Sequence, residues 1–347
     1  MEHKAVAMKI LYPDAQFVGE PTLEAQEFGT RALLSVYHTH ETAKISDATW
    51  RNCDAIVCYD GIPLDESVID RLDRCRLIVR AGVGYDHIAL SACARRGIPV
   101  CNTPDYGTTD VADHAIGLML ALARGIVAYH SGLKADLATG WKYNAAPTVR
   151  RLSGQVFGVV GLGRIGTATA LRAKALGMEV VFFDPYRPTG TELALGFQRA
   201  DTIDHLLSVA DVVSLHTPLS EETRNLIDRG AIARMKPATL LINTSRGPVA
   251  DPDAVLAGLR SGQLAGAALD VLPVAPPTGE EPLLAAFRSD EPAIAGRLIL
   301  TPHAAFYSPA SLVDIRRKSA ATAIDYLFSG RLRDCVNGLD QAGATRR

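Results

Sequence analysis

The fold of this chain follows from the stretch Val156-Phe157-Gly158-Val159-Val160-Gly161-Leu162-Gly163-Arg164-Ile165-Gly166. Its first five residues predict a buried strand, and the spacing G-x-G-x-x-G then opens a helical pattern that continues to Leu176. In such a unit the first glycine permits a tight turn, the second lets backbone N–H groups approach a pyrophosphate, and the third allows close packing of helix and strand. The stretch therefore predicts a dinucleotide-binding unit whose cofactor lies against Gly161, Gly163, Arg164, Ile165 and Gly166.

A carboxylate follows at the position where dinucleotide-binding folds discriminate between two cofactors. Asp184 stands eighteen residues after Gly166, at the end of the next predicted strand, Val180–Phe183. An Asp there accepts hydrogen bonds from the ribose 2′-hydroxyl of NAD and repels the 2′-phosphate of NADP. The sequence therefore predicts NAD as the cofactor, with Arg187, three residues later, as a cation that weakens the exclusion of NADP.

Short β-branched runs alternate with segments of helical period along most of the chain. In the first third the predicted strands are Met8–Tyr12, Leu33–Tyr37, Asp54–Tyr59, Leu77–Arg80 and Pro99–Asn102. In the second series they are Val156–Val160, Val180–Phe183, Val212–Leu215, Thr239–Ile242, Leu264–Ala268 and Leu298–Leu300. This rhythm predicts an α/β protein with two parallel sheets, each covered by helices on both faces.

Three helical segments set the domain organisation. The first series ends near Tyr106, where we place a hinge, and a long helix is predicted from Asp110 to Leu137. A short helix is predicted at Pro282–Phe287, inside a Pro- and Glu-rich surface loop. The last predicted helix, Ala310–Phe328, has no strand of its own. We therefore expect this helix to return to the first domain and make that domain discontinuous.

Composition and charge exclude several classes of protein. With 347 residues, 48% apolar and 21% charged, the chain is typical of a globular protein of about two domains. The formal charge of -2 gives no reason to expect a nucleic acid as partner, and the chain shows no long basic stripe, with a pair at Arg346 and Arg347 near its end. The most apolar stretch, Ala115–Ala128, is broken by Arg124 and is shorter than the ~20 residues that cross a bilayer. We therefore expect no membrane partner.

The remaining compositional signals concern location, redox state and metals. Residues 1–9 carry charged side chains and no apolar segment follows them, so we expect no secretory signal and a cytoplasmic protein. The six cysteines include no C-x-x-C pair. This spacing predicts reduced, buried thiols and no metal site.

Polar side chains follow the later predicted strands, at the point where each strand ends. They are His216, Ser245, Arg246, Asp270 and His303. Because the carboxyl ends of parallel strands line the ligand crevice of a doubly wound sheet, we expect these side chains to converge on the cofactor. His216 and His303 hold equivalent positions, so periodicity alone does not decide which of the two carries a proton.

At this point the sequence resembles a known family, the D-isomer-specific 2-hydroxyacid dehydrogenases, and most closely their C-terminal-binding-protein branch. The resemblance covers most of the chain in family order. The matching stretches are Arg80-Ala81-Gly82-Val83-Gly84-Tyr85-Asp86, the Gly161 loop with Asp184-Pro185-Tyr186, Leu215-His216-Thr217-Pro218-Leu219, Ile242-Asn243-Thr244-Ser245-Arg246-Gly247, Gly266-Ala267-Ala268-Leu269-Asp270-Val271 and Thr301-Pro302-His303-Ala304-Ala305-Phe306-Tyr307-Ser308.

The resemblance implies a specific arrangement of two domains. A Rossmann NAD-binding domain, residues 107–304, is expected to be inserted into a flavodoxin-like substrate domain made of residues 1–106 and 305–347. The helical segment from Asp110 to about Trp141 looks like the arm through which this family forms homodimers. The expected partners are a second copy of the chain and a small 2-keto or 2-hydroxy acid.

Roles for individual residues also come from the resemblance. His303 is implied as the acid/base, and Arg246 as the cation that binds the substrate carboxylate and polarises the keto oxygen. Backbone amides near Val83 and Gly84 are implied to bind the carboxylate, and Asp270 is implied to face the nicotinamide. The implied cofactor-binding residues are Gly161, Gly163, Arg164, Ile165, Gly166, Asp184, His216, Thr217, Pro218, Thr244, Ser245, Arg246, Asp270 and His303.

The sequence departs from the family pattern in the string that follows Asp270. The family has a Glu five positions later that hydrogen-bonds the catalytic His and raises its pKa, and here that position is Ala275. Glu280 or Glu281 would have to fold back to replace it. Phe306 stands where the corepressor branch has Trp, so we expect an apolar contact with the substrate's tail.

Three interpretations of Ala275 stay open at this point. They are a working dehydrogenase with a weakened acid, a protein that binds NAD(H) without useful turnover, and a chain in which the Glu was replaced. We expect an NAD-dependent oxidoreductase that interconverts a 2-keto acid and a D-2-hydroxy acid. The alternative is an NAD(H)-binding scaffold or sensor.

Overall fold

This computed structural model describes residues 7–289 and 291–339. Predictions that involve residues 1–6 and 340–347, among them Arg346 and Arg347 and both ends of the predicted substrate domain, lie outside the described residues. The chain divides into two compact units, Met1–Gly107 with Ser308–Arg347, and Thr108–Tyr307.

The strands confirm the predicted β-α rhythm. In the first unit they are β1 (Met8–Tyr12), β2 (Ala32–Val36), β3 (Ala55–Cys58), β4 (Leu77–Arg80) and β5 (Val100–Asn102). In the second unit they are β6 (Val156–Val160), β7 (Glu179–Phe183), β8 (Gln198–Arg199), β9 (Val212–Leu215), β10 (Thr239–Asn243), β11 (Leu264–Leu269) and β12 (Leu298–Leu300). The predicted bounds differ from these by at most one residue at each end, but the strand β8 was not predicted.

The helices follow in the same alternation. The first part of the chain contains α1 (Thr22–Phe28), α2 (Asp47–Asn52), α3 (Glu66–Ile69) and α4 (Leu90–Arg95). The middle contains α5 (Thr108–Ala123), α6 (Ile126–Ala135), α7 (Leu137–Gly140), α8 (Arg164–Ala175), α9 (Thr191–Leu195), α10 (Ile203–Val209), α11 (Arg229–Arg234), α12 (Pro252–Ser261) and α13 (Pro282–Arg288). The last helix is α14 (Pro309–Ser329).

The single long helix predicted from Asp110 to Leu137 is wrong, because the segment is broken into α5, α6 and α7. Gly125 adopts a left-handed conformation with φ of 63°, and the axes of α5 and α6 differ by 58°. A Cβ at Gly125 would lie 2.4 Å from the Cβ of Ala146, so both the turn and the packing require glycine. A second break follows at Asp136, whose carboxylate accepts the Thr139 N–H (2.6 Å) and caps α7.

The first unit is a five-stranded parallel sheet of strand order β2-β1-β3-β4-β5, the order of flavodoxin-like folds. The helix α14 packs on this unit, as predicted for the last helix of the chain. Its Arg316 forms a bidentate ion pair with the fully buried Glu24 of α1, with both N–O distances at 2.7 Å. Because the carboxylate is desolvated, this charge-assisted pair fixes the position of α14 on its unit.

The second unit is a seven-stranded parallel sheet of strand order β12-β11-β10-β9-β6-β7-β8. The chain order reverses beside β6, which makes a doubly wound Rossmann sheet with its switch point between β6 and β9. Two apolar clusters cover its faces, one of which includes α5 and α8. The carboxyl ends of β6, β7, β9, β10 and β11 therefore open on one edge.

The predicted domain boundaries at 106 and 305 differ slightly from the division of the units, which falls after Gly107 and after Tyr307. At the second boundary, the backbone N–H groups of Ala304 and Ala305 donate to the Asp270 carboxylate at 2.9 and 3.0 Å. These bonds attach residues 304 and 305 to the second unit.

Within the described ranges 7–289 and 291–339, no single helix is both long and apolar enough to cross a membrane. The bent pair Thr108–Ala123 and Ile126–Ala135 passes the same criteria of length and composition taken together.

Candidate active site

The glycine loop connects β6 to α8, as the sequence predicts. Gly161 has φ of 91°, and a Cβ on Gly166 would lie 2.1 Å from the Gly161 carbonyl oxygen. A Cβ on Gly163, by contrast, would meet only the Arg187 guanidinium, at 3.9 Å. Two glycines therefore serve close packing, whereas Gly163 leaves open space beside the first turn of α8. Such a helix N-terminus attracts a pyrophosphate.

Asp184 lies at the carboxyl end of β7, beside this loop. Its Oδ2 accepts the Leu162 N–H (2.8 Å), and its Oδ1 accepts the Tyr186 N–H (2.9 Å). The Arg187 Nε lies 3.6 Å from Oδ2. These bonds hold the carboxylate against the backbone of the glycine loop, where the ribose of a dinucleotide binds in Rossmann folds.

Two buried hydroxyls at this edge have no hydrogen-bond partner within the described part of the chain. They are the Oγ1 atoms of Thr217 and Thr244, which follow β9 and β10. A buried hydroxyl without a partner is costly, and both residues belong to the predicted cofactor set. The open space at Gly163 and these two hydroxyls fit a dinucleotide that supplies the missing polar contacts.

The turn that carries Arg246 is organised by a buried amide. The Oδ1 of Asn243 accepts hydrogen bonds from the Ser245 N–H (3.0 Å) and hydroxyl (2.8 Å), and its Nδ2 donates to the Arg246 carbonyl (3.0 Å). A Cβ on Gly247 would lie 2.0 Å from the Leu272 carbonyl carbon, so the turn packs directly on the backbone after β11. The guanidinium of Arg246 is half-buried on a fixed turn.

Asp270 holds the loop that carries His303. Its carboxylate accepts the N–H groups of Ala304 and Ala305, and its carbonyl accepts the His303 N–H (2.7 Å). His303 itself has φ of 53°, a conformation that non-glycine residues rarely adopt. Strain of this kind persists where the surroundings determine the backbone, and here the Asp270 carboxylate does so.

The two histidines left open by the sequence differ in their electrostatic environment. The His216 Nε2 lies 2.8 Å from the hydroxyl of the buried Ser214, and desolvation lowers the pKa of His216 from 6.5 to about 4. His216 is therefore neutral at pH 7 and unsuited to donate a proton there. His303 contacts Phe306 edge to face, with ring centroids 6.0 Å apart.

A third histidine was not predicted. The His114 Nε2 lies 3.1 Å from the Thr301 hydroxyl, which donates to the Asp270 Oδ1 at 2.6 Å. Because the hydroxyl proton goes to Asp270, His114 donates to Thr301 and extends the network that holds Asp270. His114 also lines an open cavity of about 460 Å³ together with Asp110, Asp113 and Tyr307. The sequence offered only one indication of this role, which is that His114 is a single histidine within the apolar helix α5.

The predicted carboxylate-binding amides belong to the first unit. Val83 and Gly84 follow β4, and the buried Arg80 donates from Nε to the Gly84 carbonyl (2.7 Å) and from a terminal nitrogen to the Ala81 carbonyl. The Asn102 side chain donates to the Val83 carbonyl (2.8 Å). Because the Arg80 and Asn102 side chains donate hydrogen bonds to the loop carbonyls, these two residues fix the shape of the loop. The motif contained Arg80, but no role was predicted for it.

Residues 116–305 match the family described as D-isomer specific 2-hydroxyacid dehydrogenase, NAD binding domain. The chain belongs to this family. It is 38% identical over 241 residues to D-3-phosphoglycerate dehydrogenase of Methanocaldococcus jannaschii, covering 70% of this chain and 44% of that protein. It is 36% identical over 258 residues to glyoxylate reductase of Korarchaeum cryptofilum, covering 74% of each chain.

A solved structure of the 2-hydroxyacid dehydrogenase family gives a matching fold. D-lactate dehydrogenase from Aquifex aeolicus, in complex with NAD and lactic acid, is 27% identical, with a TM-score of 0.80. The comparison covers 95% of this chain and all of that chain. The family and its fold establish an NAD(P) cofactor for this protein.

The position at which the family resemblance expects a Glu holds Ala275, in the exposed loop between β11 and α13. The nearby Glu281 is engaged within that loop, because its carboxylate accepts the N–H of Gly279 (2.9 Å) and the N–H (3.4 Å) and hydroxyl (3.2 Å) of Thr278. The backbone N–H of Glu281 itself, followed by these bonds, lowers the pKa of the Glu281 carboxyl. The structure thus gives Glu281 a capping role in its own loop.

Proposed function

We propose that this protein is an NAD-dependent oxidoreductase that interconverts a 2-keto acid and a D-2-hydroxy acid. The observation that supports this most strongly is the set of three hydrogen bonds by which Asp270 holds the His303 loop: its carboxylate accepts the Ala304 and Ala305 N–H groups, and its backbone carbonyl accepts the N–H of His303, whose backbone is strained. A loop fixed in this way suits a side chain that must meet a substrate in one orientation.

The proposed roles follow from the charges on a keto acid. The Arg246 guanidinium binds the carboxylate and polarises the carbonyl through a planar pair of donors. His303 donates the proton that the developing alkoxide requires, and the amides of Val83 and Gly84 bind the carboxylate. The nicotinamide supplies the hydride when it is bound.

The test is NADH oxidation with a panel of 2-keto acids of increasing tail size, and NAD reduction with the two enantiomers of each 2-hydroxy acid. We expect turnover that is confined to D enantiomers. NADH binding by fluorescence without turnover on any acid would instead support an NAD(H)-binding scaffold, the second candidate, which Ala275 favours.

Two finer assignments belong to the same proposal. The matching stretches taken together favour the C-terminal-binding-protein branch, and Phe306, which stands where that branch has Trp, is an apolar contact for the substrate's tail. The cytoplasmic location expected from the sequence stays a prediction.

For the cofactor we predict a preference for NADH over NADPH. The Asp184 carboxylate repels a 2′-phosphate at a cost of a few kcal/mol, or ~2 kcal/mol after partial screening, which corresponds to about thirtyfold in kcat/KM. Asp184→Ala should narrow this ratio to within about fivefold, measured as kcat/KM for each cofactor. Arg187→Ala is the matched control, because it removes the neighbouring cation and should widen the preference. Equal efficiency of the two cofactors in the unaltered protein would contradict the assignment.

We also propose a homodimer formed through the segment of α6, α7 and the residues after it. The side chains of three large residues in this segment are mostly exposed: Leu137 is 74%, Trp141 80% and Tyr143 93% exposed. Clustered exposure of large apolar side chains is typical of an interaction surface. Trp141→Ser with Tyr143→Ser should convert a dimer to a monomer in sedimentation velocity. Val18→Ser, at a fully exposed position in the first unit, should leave the dimer intact. A monomeric unaltered protein would contradict the proposal.

A further inference from the structure

Two cysteines lie opposite each other at the edge of the first unit's sheet. Cys101 lies on β5, the edge strand, and Cys335 lies after α14 and pairs with Cys101 in an antiparallel bridge. Backbone hydrogen bonds of 3.1 and 2.8 Å join the residues on either side of the two cysteines. This pattern makes the cysteines a non-hydrogen-bonded pair, in which the Cα atoms lie ~4.5 Å apart. That separation falls within the range of native disulfides.

The two side chains also meet. The Cys335 thiol donates to the Asn337 Oδ1 (3.2 Å), and its sulfur faces the Cys101 thiol, whose interaction with it is the main cause that lowers the pKa of Cys335 to about 6 and raises the pKa of Cys101. Cys101 is fully buried, whereas Cys335 is half-buried. Cys335 is therefore the more acidic thiol of the two and is reachable from solvent, and the buried Cys101 lies opposite it.

We propose that Cys101 and Cys335 form a modification site at which a hydroperoxide produces a disulfide that fastens the end of the chain to β5. In the first step the Cys335 thiolate attacks the peroxide O–O bond, which gives a sulfenic acid and, after protonation, one molecule of water or alcohol. In the second step the Cys101 sulfur attacks the Cys335 sulfur. The hydroxide that leaves takes the Cys101 proton and forms water, so two thiols are oxidised and one peroxide is reduced.

The chain contains a matched pair that separates proximity from access. Cys53 and Cys75 are also neighbours, but their thiols donate to the Trp50 and Leu77 carbonyls (3.3 Å each), they are 3% and 2% exposed, and the pKa of Cys75 is raised well above its ordinary value. A buried protonated thiol does not attack peroxide. Reaction should therefore be confined to Cys101 and Cys335, although both pairs are in contact.

The experiment treats the full-length protein with a small excess of hydrogen peroxide and follows intact mass and free thiols. We expect a loss of two hydrogens in mass, a fall of two in the number of free thiols from the six cysteines, and full reversal by dithiothreitol. Peptide mapping under non-reducing conditions should identify the Cys101–Cys335 link. A disulfide that maps to Cys53 and Cys75, or no loss of free thiols in the unaltered protein, would overturn the proposal.

Two variants test the order of the steps. In Cys101→Ser the reaction should stop at a sulfenic acid on Cys335, which dimedone traps, and in Cys335→Ser the thiol of Cys101 should survive the same exposure. Cys75→Ser should react like the unaltered protein. Two results would show that the assigned nucleophile is wrong. One is a disulfide that still forms in Cys335→Ser. The other is a Cys101→Ser variant with an unchanged melting curve in which dimedone does not label Cys335.

Discussion

Replacement of Arg246 by Ala is expected to lower kcat/KM for keto-acid reduction by about a thousandfold while NADH affinity changes by less than about threefold. The guanidinium is the proposed donor to both the carboxylate and the developing alkoxide, and loss of one such donor costs about 10²–10³ in rate. The turn itself should persist, because Asn243 holds it through bonds to Ser245 and to the backbone carbonyl of residue 246.

Two further variants test whether the loss of activity comes from the Arg246 guanidinium. Arg246→Lys should recover less than a tenth of the lost activity, because an ammonium does not offer two coplanar donors. Arg260→Ala should leave the kinetics unchanged, because Arg260 pairs with Glu291 on the surface, with N–O distances of 2.8 Å. Turnover of Arg246→Ala within tenfold of the unaltered protein would show that another group orients the substrate.

Replacement of Ala275 by Glu is expected to accelerate keto-acid reduction by about tenfold at pH 7.5. The family resemblance places a Glu at this position within hydrogen-bonding reach of the catalytic imidazole. A carboxylate within ~4–6 Å favours the protonated imidazole by about one pKa unit or more, which corresponds to ~1.4 kcal/mol. Reduction consumes that proton, so the gain should grow as the pH rises from 6 to 7.5, and oxidation should gain less.

Ala275→Gln is the matched control, because it has the same length without the charge. Ala275→Gln should orient the His303 ring to a small extent and leave the pH dependence of kcat/KM unchanged. The measurement is the pH profile of kcat/KM for all three proteins, together with NADH binding. Equal rates for the Glu, Gln and unaltered proteins would contradict the assigned register, and binding without turnover in all of them would favour the scaffold.

The described strands other than β8 were predictable, because most are short apolar runs that end in, or are followed by, a polar or glycine residue. Met8–Tyr12, Leu77–Arg80 and Val212–Leu215 agree with the structure at both ends. The break at Gly125 was not predictable in the same way, because a single glycine is tolerated inside a helical pattern. In the folded unit, the approach of Ala146, which lies in a later loop, leaves no space for a Cβ at this position.

The site was predictable as a set of residues but not as a network. The sequence identified Asp270 and His303 as neighbours of the cofactor, from their places after strands. The bond between His114 and Thr301 joins residues 187 positions apart, and no local pattern encodes it. Likewise, periodicity left His216 and His303 equivalent, and the desolvation of His216 in the folded unit gives a physical reason for the choice that the family resemblance implied.

The low pKa of His216 also determines how cofactor binding and protons are coupled. With a pKa of about 4, roughly one His216 side chain in a thousand carries a proton at pH 7. A group that is deprotonated both before and after binding neither takes up nor releases a proton. Over the neutral range, therefore, His216 adds no pH dependence of its own to the affinity of the glycine-loop edge for a dinucleotide.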